Sequence, residues 1–400
     1  MTGRDFRVVF LTALAHGQAH LFILAFGGVA IPLSLEFGLS DAEIGWFGTL
    51  APVLFGLGAL PASLLVDRIG ARAVIVVYLV GASIASLVIA LSSTLHQALI
   101  GFALLGIFGS FYHPAGLTLL TRTVRMRGKA LGYHGMAGSI AIFTAPVLAG
   151  WLADAFDTWR AAYLALVIPG LLLVPGVLLL RTEDGGASME KSGDGEGSTW
   201  PVLIALFGLL LILGFVYRGT LTFLPKFLQE SIEGPIFGFF HPDMPAATRA
   251  GQLAGLTLVS GVLGQWIGGN LSQRFSLPSL CLTLTILTTV SLILMGVLPG
   301  NPLIVVTAAF GFFYFMLQPV GNGLVARYTS SRRRSLAFGI AFTLSFGVGA
   351  AGSAATGVIS EEFGGLSSGM LANGFVMSIG VVAAIVLLKM TRQPPREPPA

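Results

Sequence analysis

Charge is scarce in this chain. Only 10% of its 400 residues are Asp, Glu, Lys or Arg, against about 25% in an average soluble domain. With 54% hydrophobic residues and a mean hydropathy of +0.86, so few charges exclude an ordinary soluble globule, which needs a wet surface. Cysteine is almost missing too. Cys281 stands alone, which excludes an intrachain disulfide and a CxxC metal site. No soluble face carries a basic stripe with interleaved aromatics, so the pI near 9.4 does not mark a nucleic-acid surface. Acids are absent from the middle of every long apolar run. That absence limits how a proton could be carried through them.

What is present is a series of apolar runs of membrane-spanning length. Windows of about 20 apolar residues predict an all-α integral membrane protein with twelve helices. They fall near 6–34, 43–66, 73–92, 96–121, 129–153, 160–180, 200–228, 249–271, 277–298, 302–326, 334–359 and 366–390. The first run is too long, and has the wrong flanks, for a cleaved signal peptide. Placing both termini in the cytoplasm puts eighteen of the 22 Lys and Arg residues on the inner side. Only Arg160, Lys226 and Arg249 remain outside, and Arg218 falls within a span. The positive-inside rule therefore fixes the expected topology.

The chain also repeats itself. Phe111-Tyr112-His113-Pro114-Ala115-Gly116, Arg122 and Arg127-Gly128-Lys129-Ala130-Leu131-Gly132 are echoed by Met316-Leu317-Gln318-Pro319-Val320-Gly321, Arg327 and Arg334-Ser335-Leu336-Ala337-Phe338-Gly339. Pro, Gly, Arg, Arg, Ala and Gly recur in order about 205–207 positions apart. Pro32 and Pro225 are 193 apart, so an insertion of about 13 residues in the 229–248 loop restores the later spacing. That loop holds Ile236-Phe237-Gly238-Phe239-Phe240, apolar enough to lie on the membrane or cap a cavity. We expect an N-terminal six-helix bundle over 1–180, a Gly-rich cytoplasmic linker over 181–199, a C-terminal bundle over 200–390 and a disordered tail over 391–400. A duplicated six-helix unit places its site between the copies, the plan of a carrier that alternates access.

The link between the second and third spans reads Ser63-Leu64-Leu65-Val66-Asp67-Arg68-Ile69-Gly70-Ala71-Arg72. It resembles the signature loop of the major facilitator superfamily (MFS), Gly-x-Leu-Ala-Asp-Arg-x-Gly-x-Arg, with Ser63 in place of the first Gly. The second copy, Gly269-Asn270-Leu271-Ser272-Gln273-Arg274-Phe275, keeps Arg274 but has Gln for the acid. The resemblance covers the whole chain. It implies the MFS fold, two pseudo-symmetric six-helix bundles with helices one, four, seven and ten around a central cavity. It also implies an inner latch in which Asp67 pairs with Arg72 and the start of helix eleven; Arg68, Arg274, Arg332, Arg333 and Arg334 supply the surrounding positive field. Tyr112-His113-Pro114-Ala115-Gly116 and a mid-helix His in helix one are similar to the fosmidomycin-resistance group of exporters. That group often carries an acid in helix one, whereas this chain has His16-Gly17-Gln18-Ala19-His20, so carboxylate coupling there does not carry over. Gly132, Gly135, Gly138 and Ala145-Pro146-Val147-Leu148-Ala149-Gly150 resemble the Gly-Pro pattern of drug/proton antiporters; plain packing glycine is the equal alternative.

Arg218 is the one charge expected deep in a span, about 18 Å below the outer end of helix seven. Such a charge faces the bundle interior or a wet cavity, and Tyr217, Thr220 and Thr222 suit a cavity. Arg does not release its proton, so it would hold an anionic group or a counter-charge. The competing reading has helix seven end early and Arg218 snorkel outward. His16 and His20 are one turn apart, and His113 should lie at their depth. With no mid-span acid, proton coupling falls to a histidine, or to Glu36 or Glu230 near the outer mouth; each histidine could equally be a hydrogen-bonded packing residue. Three histidines without Cys, Asp or Glu beside them make no expected metal site, and no cofactor is implied. In the second half Gln318 takes the place of His113. Asn322, Gln265, Trp266 and Tyr314 add polar and aromatic groups able to orient a ligand. The 29 phenylalanines are expected mostly at the lipid or in packing.

A membrane enzyme lacks support. His16-x-x-x-His20 has no Glu, and there is no nucleophile elbow. The expected function is secondary active transport by alternating access: proton-coupled export, by antiport, of a small organic compound or drug, with Arg218 arguing for an anion. The alternative is an importer or facilitator of an organic anion or other metabolite. A transport-dead sensor or assembly protein of the same fold is a third reading that the sequence hardly excludes, although no appended soluble domain is expected to carry a signal. The expected setting is the lipid bilayer of a bacterial inner membrane, multi-pass and monomeric.

Overall fold

The structure is a computed structural model describing residues 3–124, 127–180, 200–236, 240–329 and 334–391. The expected linker, the tail beyond Thr391, and Arg332 and Arg333 lie outside these residues. The spans are α1 (Gly3–Phe37), α2 (Asp41–Ile69), α3 (Ala71–Ala90), α4a (Leu95–Gly109) with α4b (Tyr112–Thr123), α5 (Arg127–Ala155) and α6 (Arg160–Leu178). They continue as α7 (Trp200–Ser231), α8a (Ala246–Leu258) with α8b (Ser260–Leu271), α9 (Leu277–Val297), α10 (Pro302–Tyr328), α11 (Arg334–Glu362, in segments) and α12 (Leu366–Thr391). Among the described residues, eleven helices are long and apolar enough to cross a membrane. The twelfth expected span is the divided α8.

Local chemistry explains the helix ends and the interruptions. Ser40 caps α2 through a reciprocal capping box with Glu43. Gly70, at φ 86°, makes the tight turn between α2 and α3, a conformation side-chain-bearing residues rarely adopt. Pro114 has no N–H to offer the carbonyl four residues back, and helix four breaks there, at Ser110 and Phe111. Pro319 occupies the matching place in α10, yet that helix runs unbroken. Helix eight bends at Val259, where the Ser260 hydroxyl donates to the Thr257 carbonyl and reaches the Ala308 carbonyl at 2.7 Å. Helix eleven passes through a π segment at Thr343–Gly347 and a 3-10 turn at Val348–Ala350, the type of irregularity that often accompanies a functional site.

Buried polar contacts make α1 a hub of the first half. Tyr78 donates to the Ala15 carbonyl at 3.1 Å, and Gln18 donates to the Leu166 carbonyl at 2.8 Å. The Tyr112 hydroxyl reaches both the Thr12 carbonyl and the His134 ring. Glu36, at the end of α1, accepts two bonds from Arg160 at 2.6 and 2.7 Å and one from Trp159.

The two halves meet most closely at the face opposite Arg68, Arg122 and Arg327. There Lys226 of α7 bonds Asp41 of α2, the Ala42 amide donates to Glu361 at 3.1 Å, and the Thr248 amide donates to Asp154 at 2.5 Å. Helices α5 and α8a touch backbone to backbone: a Cβ at Gly251 would fall on the Pro146 carbonyl, and one at Gly150 on the Ala247 carbonyl. Towards the arginine-rich face the cross-half bonds among the described residues stop short of the terminal turns. Among the described residues the halves are therefore fastened chiefly at one face.

Candidate functional site

Between the halves lies a cavity of about 280 Å³, close to the lower end of the range for small-molecule sites. From the first half it is lined by His16, His20, His113, His134 and Ser139, and from the second by Tyr217, Gln265, Tyr314, Gln318, Asn322 and the α11 phenylalanines. Leu117, Gly321, Asn322 and Phe338 mark its end nearer the arginine-rich face. At the fastened end a small pocket continues past His20, His113, Tyr217 and Phe346 to Phe55 and Arg218.

The first-half wall is an imidazole cluster. The rings of His16 and His113 have centroids 5.1 Å apart, those of His16 and His20 4.8 Å, and those of His20 and His113 5.8 Å. The equal depth expected of His16 and His113 is thus what the helices produce. His134 stacks on His16 at 4.0 Å with the planes 7° apart. Sequence reasoning passed over it, although it lies one helical turn from Gly138. That glycine makes the room: a Cβ there would meet the His16 ring. Gly132 and Gly135 face open space instead, Gly135 on the cavity, so the glycines of α5 divide between close packing and open positions.

Arg218 is buried, with 4% of its surface exposed, so helix seven does not end early and the side chain does not snorkel. Its Nη2 lies 3.4 Å from the Gly48 carbonyl, a long contact, and its Nε has no hydrogen-bond partner. Among the described residues it forms no ion pair within 4.0 Å. Tyr217 stacks on Tyr314 at 5.4 Å, and Tyr314 donates to the Leu213 carbonyl at 2.9 Å. Gln265 donates to Gln318 at 2.5 Å and accepts from Ser139, joining the halves across the cavity. Asn322 is exposed to the cavity.

Several expectations need correcting. Thr220 and Thr222 do not line the cavity; Thr220 is fully buried, and Thr222 bonds Ser353 of α11 at 2.6 Å. Trp266 is 70% exposed on the outside of the bundle and takes no part, because its neighbour Gln265 points inward and adjacent helical positions diverge. Phe55, Phe338, Phe342 and Phe346 line the cavity or its extension, four of the 29 phenylalanines expected mostly at the lipid or in packing. In the expected latch, Arg72 donates to the Leu180 carbonyl at 2.8 Å rather than to Asp67. Asp67 instead faces Arg122 at 3.8 Å, both well exposed. Arg68 and Arg274 are also exposed, and Arg334 opens helix eleven. Glu36 is committed to Arg160, and Glu230 lies 3.6 Å from Lys226.

The comparisons with known proteins agree with this architecture. A bacterial homolog to the human lysosomal transporter Spinster, solved in an inward-facing and occupied conformation, superimposes with a TM-score of 0.78. It covers 99% of this chain and 100% of that one at 17% identity, which speaks for the fold alone. A probable 4-methylmuconolactone transporter of Cupriavidus pinatubonensis is 24% identical over 377 residues, 90% of this chain and 85% of that protein. A probable nitrate/nitrite antiporter, NarK1 of Thermus thermophilus, is 26% identical over 290 residues, 67% of this chain and 61% of that protein. The sequence model of the Major Facilitator Superfamily matches residues 12–277 and 235–400. With all-helical spans, a cavity between the halves and a match along nearly its whole length, this multi-pass membrane protein belongs to the Major Facilitator Superfamily and is a transporter, not an enzyme.

Proposed function

We propose that the chain exports a small organic anion by alternating access, driven by protons. The observation that carries the anion is Arg218. A guanidinium taken out of water without a counter-charge costs several kcal/mol, and here an unpartnered Nε borders a pocket continuous with the cavity. An anionic group entering that pocket would offset the penalty. Tyr217, Gln265, Tyr314, Gln318 and Asn322 would orient the rest of the molecule. The relative named for nitrate and nitrite handles anions by its name, which supports the same class.

In this reading residues 1–180 and 200–390 are two bodies joined by 181–199, and they rock about the cavity. The arginine-rich face is cytoplasmic, as are both termini, in a bacterial inner membrane, and the carrier works as a monomer. Export is favoured by the resemblance of the helix-four and helix-five motifs to those of exporters. The cavity holds four imidazoles and no carboxylate among the described residues, so proton uptake falls to His16, His20 or His113. Import or facilitated passage of the same anion needs only a different gradient.

Flux through the purified protein in liposomes tests the reading, with a chelator present and a panel of organic anions at two pH values. Arg218→Ala abolishes anion flux, Arg218→Lys keeps part of it, and His113→Ala moves its pH dependence. Wild-type flux from both Arg218→Ala and His113→Ala at every pH overturns the site. Flux that also builds up inside against an opposite proton gradient selects import over export.

A further inference from the structure

We propose that His16, His20 and His113 form a binding site for a divalent transition-metal cation of the zinc class, set in the wall of the central cavity. One ligand-capable nitrogen from each of the three residues lies within 4.8 Å of the other two. They belong to two helices, α1 and α4b, whose backbones are fixed by buried contacts. Tyr112, next to His113, bonds the Thr12 carbonyl of α1.

Hydrogen bonding determines which nitrogens are free. His16 Nδ1 lies 2.8 Å from the His134 carbonyl oxygen. That oxygen can only accept, so the proton sits on Nδ1 and the lone pair on Nε2 points away from it. A metal-bound imidazole shows the same arrangement, its second nitrogen donating to a carbonyl or carboxylate that fixes tautomer and ring angle. Nε2 of His20 is 3.2 Å from Nε2 of His16. Two imidazole nitrogens bound tetrahedrally at roughly 2.0–2.1 Å are separated by about 3.3–3.4 Å. The pair is therefore already spaced as one edge of a metal site.

His113 supplies the third vertex. Neither of its ring nitrogens has a hydrogen-bond partner among the described residues; its contacts are with rings, including Phe55 and Phe342. One of its ring nitrogens lies within 4.8 Å of a ligand nitrogen on each of the other two, so a side-chain movement on the cavity side closes the triangle. The alternative, a single proton shared by His16 and His20, uses one of these nitrogen pairs and leaves His113 unoccupied. His134 is not a ligand, because its Nε2 bonds the Tyr112 hydroxyl at 2.9 Å; it acts as the residue that holds His16.

The donor set selects the cation. Three neutral imidazoles without thiolate or carboxylate suit zinc, cobalt, nickel or copper rather than magnesium or calcium, which require oxygen. The fourth coordination position faces the cavity, where water or an anion can fill it. The expectation of no metal rested on the missing Cys, Asp and Glu, whereas three imidazoles brought within 4.8 Å of one another are by themselves a sufficient set of protein ligands. Protons and the metal would compete for the same lone pairs. The site itself stands apart from the anion reading, since it needs neither Arg218 nor turnover.

Metal titration of the purified full chain, with any polyhistidine tag removed, tests the site. Zinc is followed by calorimetry, and cobalt by the visible absorption of a four-coordinate ion. The expected result is one saturable site per chain. Affinity falls at least ~10-fold in His20→Ala and in His113→Ala, the scale on which lost site contacts weaken metal binding. His96→Ala and His241→Ala, outside the cluster, bind as wild type does, and each variant is checked by its melting temperature before titration. Should His20→Ala fold poorly, His20→Gln replaces it. The proposal is overturned by the absence of saturable binding in the wild type, or by undiminished affinity in folded His20 and His113 variants. Because no transport substrate is present, this outcome is separate from the anion-flux result.

Discussion

Asp41 of α2 and Lys226 of α7 form an ion pair across the two halves of the chain, at the face away from the arginine-rich ends. Their side chains are only 17% and 18% exposed, and Lys226 also lies 3.6 Å from Glu230. With Glu361 on the Ala42 amide and Asp154 on the Thr248 amide, three carboxylates fasten this mouth from one half to the other. An ion pair this shielded lies between the exposed and the fully buried cases, so we assign its loss about 1–2 kcal/mol.

Asp41→Asn should therefore raise the population open at this mouth roughly 5–30-fold. Cys281 is the only cysteine, so a Cys281→Ser background carrying Ala254→Cys, a buried position between the halves, reports the opening. Maleimide labelling through that mouth should rise with the substitution. An unchanged labelling rate would mean that the pair does not bear on closure.

The course of the helices was legible because bilayer thickness sets a run length that composition reveals directly. The convergence of His16 and His113 was legible for a related reason: each sits a similar count of residues from an arginine at the same face. The partners that complete the site were not. His134 comes from α5, and only three-dimensional packing brings its carbonyl to His16. The break at Ser110 and the unbroken α10 arise from the same Pro-containing motif, so tertiary contacts decided between them. Asp41, Asp154 and Glu361 read as ordinary loop-end acids, since their partners are 94 to 319 residues away. Charge at a helix end signals topology in the sequence; which half it ties to which depends on the conformation adopted.

Helices α5 and α8a give a second, purely steric prediction. A Cβ at Gly251 would fall on the Pro146 carbonyl, with backbone rather than a flexible side chain in the way. Gly251→Ala should cost about 1–3 kcal/mol of the closed arrangement, as overpacking does. It should lower the melting temperature of the detergent-purified protein and open the same mouth. Gly132→Ala, where a Cβ meets nothing within 4 Å, is the contrast; alanine is the better helix former by ~1 kcal/mol, so its melting temperature should hold or rise. Equal behaviour of the two variants would remove the close α5–α8a approach as an element of closure.

Asp67 yields the last prediction, and the helix to which it belongs makes the argument. It lies two positions before Ile69, the final residue of α2, where the partial negative end of the helix disfavours a carboxylate. Its only ion pair among the described residues, with Arg122 at 3.8 Å, is too exposed to compensate. A carboxylate so poorly placed here would gain a partner if the arginine-rich face closed and the N-terminus of helix eleven, beginning at Arg334, approached. Asp67→Asn should therefore leave expression and the melting temperature of the present conformation unchanged. It should deplete the state open at the opposite face, the reverse of Asp41→Asn. Labelling from both sides measures the ratio; a ratio equal to wild type would show that Asp67 has no part in the latch, whereas restoration of the depleted state by Asp67→Glu would show that the negative charge itself is what helix eleven meets.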